Sequence, residues 1–217
     1  MKYRSVLFVP GHEEKKIKKA YTLNADLVVI DLESTVPDNQ KGEAKKIIKG
    51  CNVDKKNTYI RINDSSDLDF VTSENFLGIF LPFTENKTQL DRIDNILRKT
   101  EKHQTDIILI LESINGLANL DQICSYKKRV SVISFGSHDL AKSINLKISH
   151  DEKEILEFRK NIVNKSKIIK KPIDTSFLDF KDVSGFEKSC IAAQKLGFGG
   201  KACIHPDQVS ISNKIFS

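Results

Sequence analysis

Glu112 follows the apolar run Ile107–Leu111 directly, so whatever element carries that run delivers a carboxylate to the edge of an apolar core. Such a group is rarely left there without a cation or hydrogen-bond partners. Asp139 follows the next run of this kind, VSVISF, after only Gly136, Ser137 and His138. Two carboxylates from neighbouring strand ends can hold one Mg²⁺, with waters or substrate oxygens completing the shell. The competing reading pairs Glu112 with Arg61 and uses Asp139 to cap the helix that HDLAKS opens. Arg61, between Ile60 and Ile62, carries a fork that can grip a substrate carboxylate with two bonds, which lysine cannot do. The same fork can form a structural ion pair with Asp31 or Glu33, which end the run LVVIDLE. Asp174, Thr175 and His205 close the remaining runs. The five histidines show no HxH or HExxH spacing, which argues against zinc, and His138 reads as a solvated neighbour of Asp139. No GxSxG or catalytic-cysteine context supports an acyl-enzyme.

Eight β-rich runs carry these residues, at 5–9, 27–32, 58–62, 77–81, 106–111, 130–135, 172–177 and 200–204. Several are near-continuous apolar stretches, the pattern of strands covered on both faces. Helical stretches lie between them, at 13–24, 40–50, 87–103, 115–124, 151–170, 184–196 and 206–215, with room for a short helix within 65–75. Gly50 and Gly197 stand where C-cap glycines belong, and Pro206 stands near a helix start. Eight alternations predict a parallel α/β protein, specifically a single (β/α)₈ TIM barrel domain over residues 1–217. The alternative is an open doubly wound sheet. In that arrangement the third and sixth strands would lie about 24 Å apart, and Arg61 and Asp139 could not share a small ligand. A barrel gathers all the strand ends at one face.

Composition narrows the partners. A chain of 217 residues, 39% apolar and 29% charged, has ample material for a folded core, and no run approaches the length of a membrane span. The net charge of +6 comes from lysines scattered over predicted helices, with no aromatic or zinc-finger signature of nucleic-acid binding. An anionic small molecule is a better use of the surplus. Four widely spaced cysteines and no secretory leader point to reduced thiols in the cytoplasm.

The motifs, taken together, resemble the HpcH/HpaI aldolase/citrate lyase family, in its citrate lyase beta-subunit-like branch. RSVLFVPG opens the chain, and DLVVIDLEST follows with Lys41 beyond it. YIRIN, GIFLPF, ILESINGL and SFGSHDLA come in the family's order, and IDTSFLDFKDVSGF and LGFGGKACIHPDQV close it. The resemblance implies a Mg²⁺-dependent barrel that cleaves or forms carbon–carbon bonds in small oxo- or hydroxy-acids or their CoA thioesters, of the citryl-CoA or malyl-CoA type. It implies Glu112 and Asp139 as metal ligands, Arg61 on the substrate carboxylate, and Asp31 with Glu33 supporting the metal's waters. Two other activities lie near it: a CoA-independent aldolase acting on pyruvate-like substrates, and a non-catalytic or regulatory barrel that binds a keto acid and a metal.

The sequence departs from the family's pattern at several places. Ser34 stands where many relatives carry a second acid, Phe83 where lysine is usual, and Ser113 where threonine is usual. An acid and a glycine common after the sixth-strand motif are replaced around Ser143–Asn145. Relatives also continue into a C-terminal extension that covers the thioester and carries a proton-transfer acid. For this chain, which ends at Ser217, the expectation is therefore a homo-oligomer, with a trimer favoured, in which a neighbour borders the cleft. Slow or absent turnover of citryl- or malyl-CoA by the chain alone is expected with it.

Overall fold

The computed structural model of the chain describes residues 3–126, 128–166 and 169–217. Its eight strands are β1 (Ser5–Pro10), β2 (Leu27–Asp31), β3 (Thr58–Arg61), β4 (Gly78–Leu81), β5 (Asp106–Leu111), β6 (Val130–Phe135), β7 (Ile173–Asp174) and β8 (Gly200–Cys203). All pair in parallel and in chain order, and β1 closes the sheet on β8 with Val6 beside Ala202. This is the predicted (β/α)₈ barrel, and the β1–β8 ladder excludes the open sheet.

The period of two along each strand sorts its side chains. Val6, Val29, Tyr59, Phe80, Ile108 and Val132 fill the barrel's centre. Their neighbours Leu7, Val28, Ile60, Ile79, Leu109 and Ile133 face the helical layer. Both faces are therefore apolar, which is why the runs hardly alternate in sequence.

The outer layer consists of α1 (Glu14–Ala20), α2 (Lys41–Gly50), α3 (Leu68–Ser73), α4 (Lys87–Thr100), α5 (Ile114–Ala118), α6 (Leu120–Cys124), α7 (Ser137–Ser143), α8 (Leu156–Lys165), α9 (Val183–Leu196) and α10 (Pro206–Ile215). In α4, Leu90, Ile93 and Leu97 form the buried stripe, and the Asn86 side chain accepts the Gln89 N–H to start the helix. Gly197 ends α9 at φ 111°, a left-handed cap that suits glycine. At α10, His205 and Gln208 cap each other's backbone around Pro206.

Some elements differ from the sequence reading. Gly50 lies inside α2, and the helix ends on Cys51 in an extended conformation. The helix expected at 115–124 is two short helices that meet at Asn119, whose side chain donates to the Glu85 carbonyl. The helix expected at 151–170 begins with a 3₁₀ turn at Lys153–Ile155, and residues 167 and 168 fall outside the described ones. The seventh strand stops at Asp174, and beyond it α7 takes over the contacts: the Ser137 hydroxyl bonds Thr175 Oγ1 and His138 bonds the Ser176 carbonyl.

Asp174 itself points outward. It meets Lys201 at 2.6 Å and Arg159 at 2.6 and 2.9 Å, and Arg159 reaches on to Glu152 at 2.9 Å. Ser189 of α9 adds a bond to Glu152. Two cations and two anions thus neutralise one another between the barrel wall and α8 and α9. Asp174 belongs to this outer layer and not to the barrel mouth.

Candidate active site

The inward register that places Val29, Tyr59 and Ile110 in the barrel's centre puts Asp31, Arg61 and Glu112 two residues further on, at its C-terminal mouth. Asp31 and Arg61 are register partners. Arg61 donates from Nε to Asp31 Oδ1 at 2.6 Å and from Nη2 to Asp31 Oδ2 at 2.6 Å. Nη2 also reaches Ser34 Oγ at 2.6 Å, and Nη1 lies 3.1 Å from Glu33 Oε2. Phe8 sits against the guanidinium, 5.5 Å from ring centre to Cζ. Burial opposes ionisation of Asp31, but Arg61, the Thr35 hydroxyl at 2.5 Å and the Glu33 amide hold its carboxyl below the usual range. Of the two sequence readings of Arg61, the ion pair is present, with both acids.

Glu112 is 3% exposed and accepts one hydrogen bond, from the Phe83 N–H to Oε1 at 2.8 Å. Its side chain fits because residue 136 is glycine: a Cβ there would stand 2.7 Å from both Glu112 Cβ and Oε2. Burial is the chief reason its carboxyl is pushed up to about 8. The Phe83 N–H and Arg61 oppose that shift, while the Asp139 and Glu33 carboxylates add to it. Glu112 thus feels the charges of Asp139, Arg61 and Glu33 at the barrel mouth.

Asp139 lies in the first turn of α7, three residues past Gly136, and is exposed. No side chain caps α7, so the capping reading of Asp139 fails. His138 is half-buried, and its Nε2 bonds the Ser176 carbonyl at 3.0 Å. His205 caps α10 and stacks on Phe180 at 4.8 Å. Three contributors carried no clear signal in the sequence: Thr35, the Phe83 N–H and the space at Gly136. Ser34 stood out only as a departure from the family's pattern.

Asp31, Glu33 and Glu112 thus act on one guanidinium while Asp139 acts on Glu112, and burial makes the negative charge of Glu112 costly unless a cation is close. This oxygen-rich, acid-heavy donor set suits a hard divalent ion. Among the described residues no three His, Cys, Asp or Glu side chains are arranged to ligate a metal together. A cation held by Glu112 and Asp139 would leave most of its shell to water and substrate.

A groove of about 610 Å³ opens beside the mouth. It shares Phe8 and Thr35 with the Arg61–Asp31 cluster, is walled by Pro10, Phe180 and Ile204, and is edged by Lys15, Lys16 and Lys19 of α1. Lys16 pairs with Glu13, whereas Lys15 and Lys19 make no ion pair among the described residues.

Comparison with known proteins agrees with this architecture. The chain is 30% identical over 240 residues to the mitochondrial citramalyl-CoA lyase of Mus musculus, covering 99% of this chain and 71% of that protein. The crystal structure of RipC from Yersinia pestis superposes with a TM-score of 0.82 at 27% identity, over 99% of this chain and 94% of that one. Protein CitE of Mycobacterium tuberculosis, solved with magnesium, acetoacetate and coenzyme A, shares the fold at a TM-score of 0.86 and 23% identity, over 98% of this chain and 80% of that one. The family model for HpcH/HpaI aldolase/citrate lyase matches residues 4–206, and the chain belongs to that family.

Proposed function

We propose that the protein is a Mg²⁺-dependent carbon–carbon lyase of the citrate lyase beta-subunit type, acting on the CoA thioester of a small 3-hydroxy acid. The observation that carries this reading is the acid cluster around Arg61, which opens directly into an apolar groove edged by lysines. In this reading Glu112 and Asp139 hold the Mg²⁺, and Asp31 and Glu33 fix Arg61 and orient the ion's waters. Three of the five guanidinium N–H groups are hydrogen-bonded and Nη1 meets Glu33 only as an ion pair, so Nη1 is the nitrogen that Arg61 offers to the keto-acid carboxylate. The bound ion supplies positive charge where the oxygen of the forming carbonyl carries negative charge.

In the cleavage direction the hydroxyl at C3 loses its proton and becomes the carbonyl of the keto acid as the C2–C3 bond breaks. The bond's electron pair passes to C2 of the thioester fragment, which takes up a proton and leaves as the acyl-CoA. Phe8 and the groove walls keep water from the thioester arm, and Lys15, Lys16 and Lys19 are placed for its phosphates.

Large apolar side chains are exposed on loops and helix starts that follow the strands, among them Phe83 and Leu178 on loops and Ile114 and Val183 at the starts of α5 and α9. We place a second copy of the chain there, in a homo-oligomer with a trimer favoured, which light scattering tests. We place the protein in the cytoplasm, where its four buried, unpaired cysteines stay reduced.

The decisive assay incubates the purified protein with Mg²⁺ and citramalyl-, malyl- or citryl-CoA, and follows acetyl-CoA together with pyruvate, glyoxylate or oxaloacetate. Release of both products, slow from the malyl and citryl thioesters and lost on chelation and in Glu112→Gln, is the expected result. Calorimetry with Mg²⁺ and keto acid that gives the same isotherm for wild type and Glu112→Gln would remove the metal assignment. Tight keto-acid binding without turnover of any thioester would mean a ligand-binding barrel instead.

A further inference from the structure

We infer that the Pro82–Phe83–Thr84 turn is a positioning device for Glu112, which fixes the carboxylate oxygen left free at the barrel mouth. Phe83 has φ 46°, in the left-handed region that bulky side chains rarely occupy. Packing of the ring does not explain this, because Phe83 is 48% exposed. The backbone does. The Phe83 N–H donates to Glu112 Oε1 at 2.8 Å, and its carbonyl accepts from Gln89 Nε2 at 3.3 Å.

The flanking residues hold the turn from four sides. Gln89 Oε1 accepts the Glu85 N–H at 3.0 Å, so one α4 side chain grips the turn twice. The Thr84 N–H bonds the Ile110 carbonyl of β5, and the Thr84 hydroxyl bonds the Leu81 carbonyl of β4. Asn119, between α5 and α6, donates to the Glu85 carbonyl at 3.0 Å. Gly116 of α5 comes so close to the Thr84 carbonyl that a Cβ would stand 2.5 Å from it. A strained backbone persists where its surroundings over-determine it, and such positions gather at functional sites.

The consequence falls on Glu112. With Oε1 committed to Phe83, the oxygen beside Gly136 is Oε2, on the side from which α7 brings Asp139. The turn thereby presents one oxygen to a cation instead of two. Phe83 acts through its backbone and through Glu112, so it is a positioning residue. This inference rests on the cation reading above, and two measurements separate the two.

The first needs no metal. The residue-83 amide proton, followed by ¹⁵N NMR and hydrogen exchange, should be protected and shifted downfield, and should move upfield in Glu112→Gln. A fast-exchanging amide that ignores Glu112→Gln overturns the proposal. The second measures Mn²⁺ affinity by electron paramagnetic resonance in the presence of pyruvate. Phe83→Asn, which accepts the left-handed conformation, and Phe83→Leu should bind within about twofold of wild type, whereas β-branched Phe83→Val should lose about tenfold. Equal affinity in all four proteins overturns the positioning role. A wild type that binds no Mn²⁺, with the amide still moving on Glu112→Gln, removes the cation reading and leaves the turn's hold on Glu112 standing. If Phe83→Val fails to fold, the amide measurement decides.

Discussion

Arg61 and Asp31 stand in register on neighbouring strands and are joined by two bonds of 2.6 Å, Nε to Oδ1 and Nη2 to Oδ2. Asp31 is fully buried, so the guanidinium is its main source of compensation. The same fork faces the mouth, with Ser34 on Nη2 and Glu33 on Nη1. Most of the Arg61 donors therefore hold the protein, and in the proposed function the remainder serves the substrate carboxylate.

Arg61→Lys tests this division. Lysine keeps the charge but offers no fork, so the buried Asp31 loses at least one of its paired bonds. The expected cost is about 1–3 kcal/mol, which in a chain of this size lowers the melting temperature by about 2–4 °C per kcal/mol. Keto-acid affinity should fall with it. A melting temperature equal to wild type, by scanning calorimetry, would show that the pair contributes nothing to the fold and that Arg61 serves the ligand alone.

Gly136→Ala tests the space beside Glu112. Gly136 has φ −103°, so alanine meets no backbone penalty there and the effect is steric. Its Cβ would stand 2.7 Å from Glu112 Cβ and Oε2 and must push that side chain aside. We expect a loss of about 1–3 kcal/mol and a metal affinity reduced about tenfold. Gly42→Ala, exposed in α2 with nothing within 4 Å of its Cβ, should instead stabilise the protein by about 0.5–1 kcal/mol. Similar melting shifts in the two variants would refute the steric account.

The barrel was legible because its strands are buried on both faces, and that leaves near-continuous runs such as Ile107–Leu111 with polar residues at their ends. The same ends identified Asp31, Arg61 and Glu112, since a residue two places beyond an inward-facing one also faces inward. Asp174 closes a run too, yet the same alternation turns it away from the mouth. In β7, Ile173 faces inward, so Asp174 faces out toward Arg159 and Lys201, and a two-residue strand gives no alternation from which to read its phase. The Phe83 N–H was out of reach of sequence altogether. A backbone donor has no residue signature, and its direction is set by contacts from β4, β5, α4 and α5 that only the assembled fold supplies.

Lys201→Met should separate the outer charge network from the mouth. Lys201 and Asp174 are both fully buried and 2.6 Å apart, and Arg159 carries the other half of the Asp174 charge. Removing the ammonium leaves a buried carboxylate undercompensated, at an expected cost of about 3–5 kcal/mol. Because the network lies behind the barrel wall, Mg²⁺ and keto-acid affinity measured well below the melting temperature should stay within error. A variant that keeps wild-type stability and loses ligand affinity would place Asp174 at the site after all.

Glu112 gives the protein a characteristic dependence on pH. Burial is the main cause that lifts its carboxyl to about 8 in the ion-free protein, against about 4.3 for an unfolded glutamate. Between those values the native state keeps a proton that the unfolded chain has already released. Raising the pH through that window therefore lowers the stability of the ion-free protein, and below it the contribution is fully present. Glu112→Gln should remove this part of the slope. Mg²⁺ requires the carboxylate, so binding below pH 8 must expel the proton, and affinity should climb with pH and level off near 8. Calorimetry at pH 6.5, in buffers of differing ionisation enthalpy, counts the protons. Release approaching one proton per bound Mg²⁺ is expected in wild type and none in Glu112→Gln, and equal heats in every buffer would mean that Glu112 carries no proton to release at that pH.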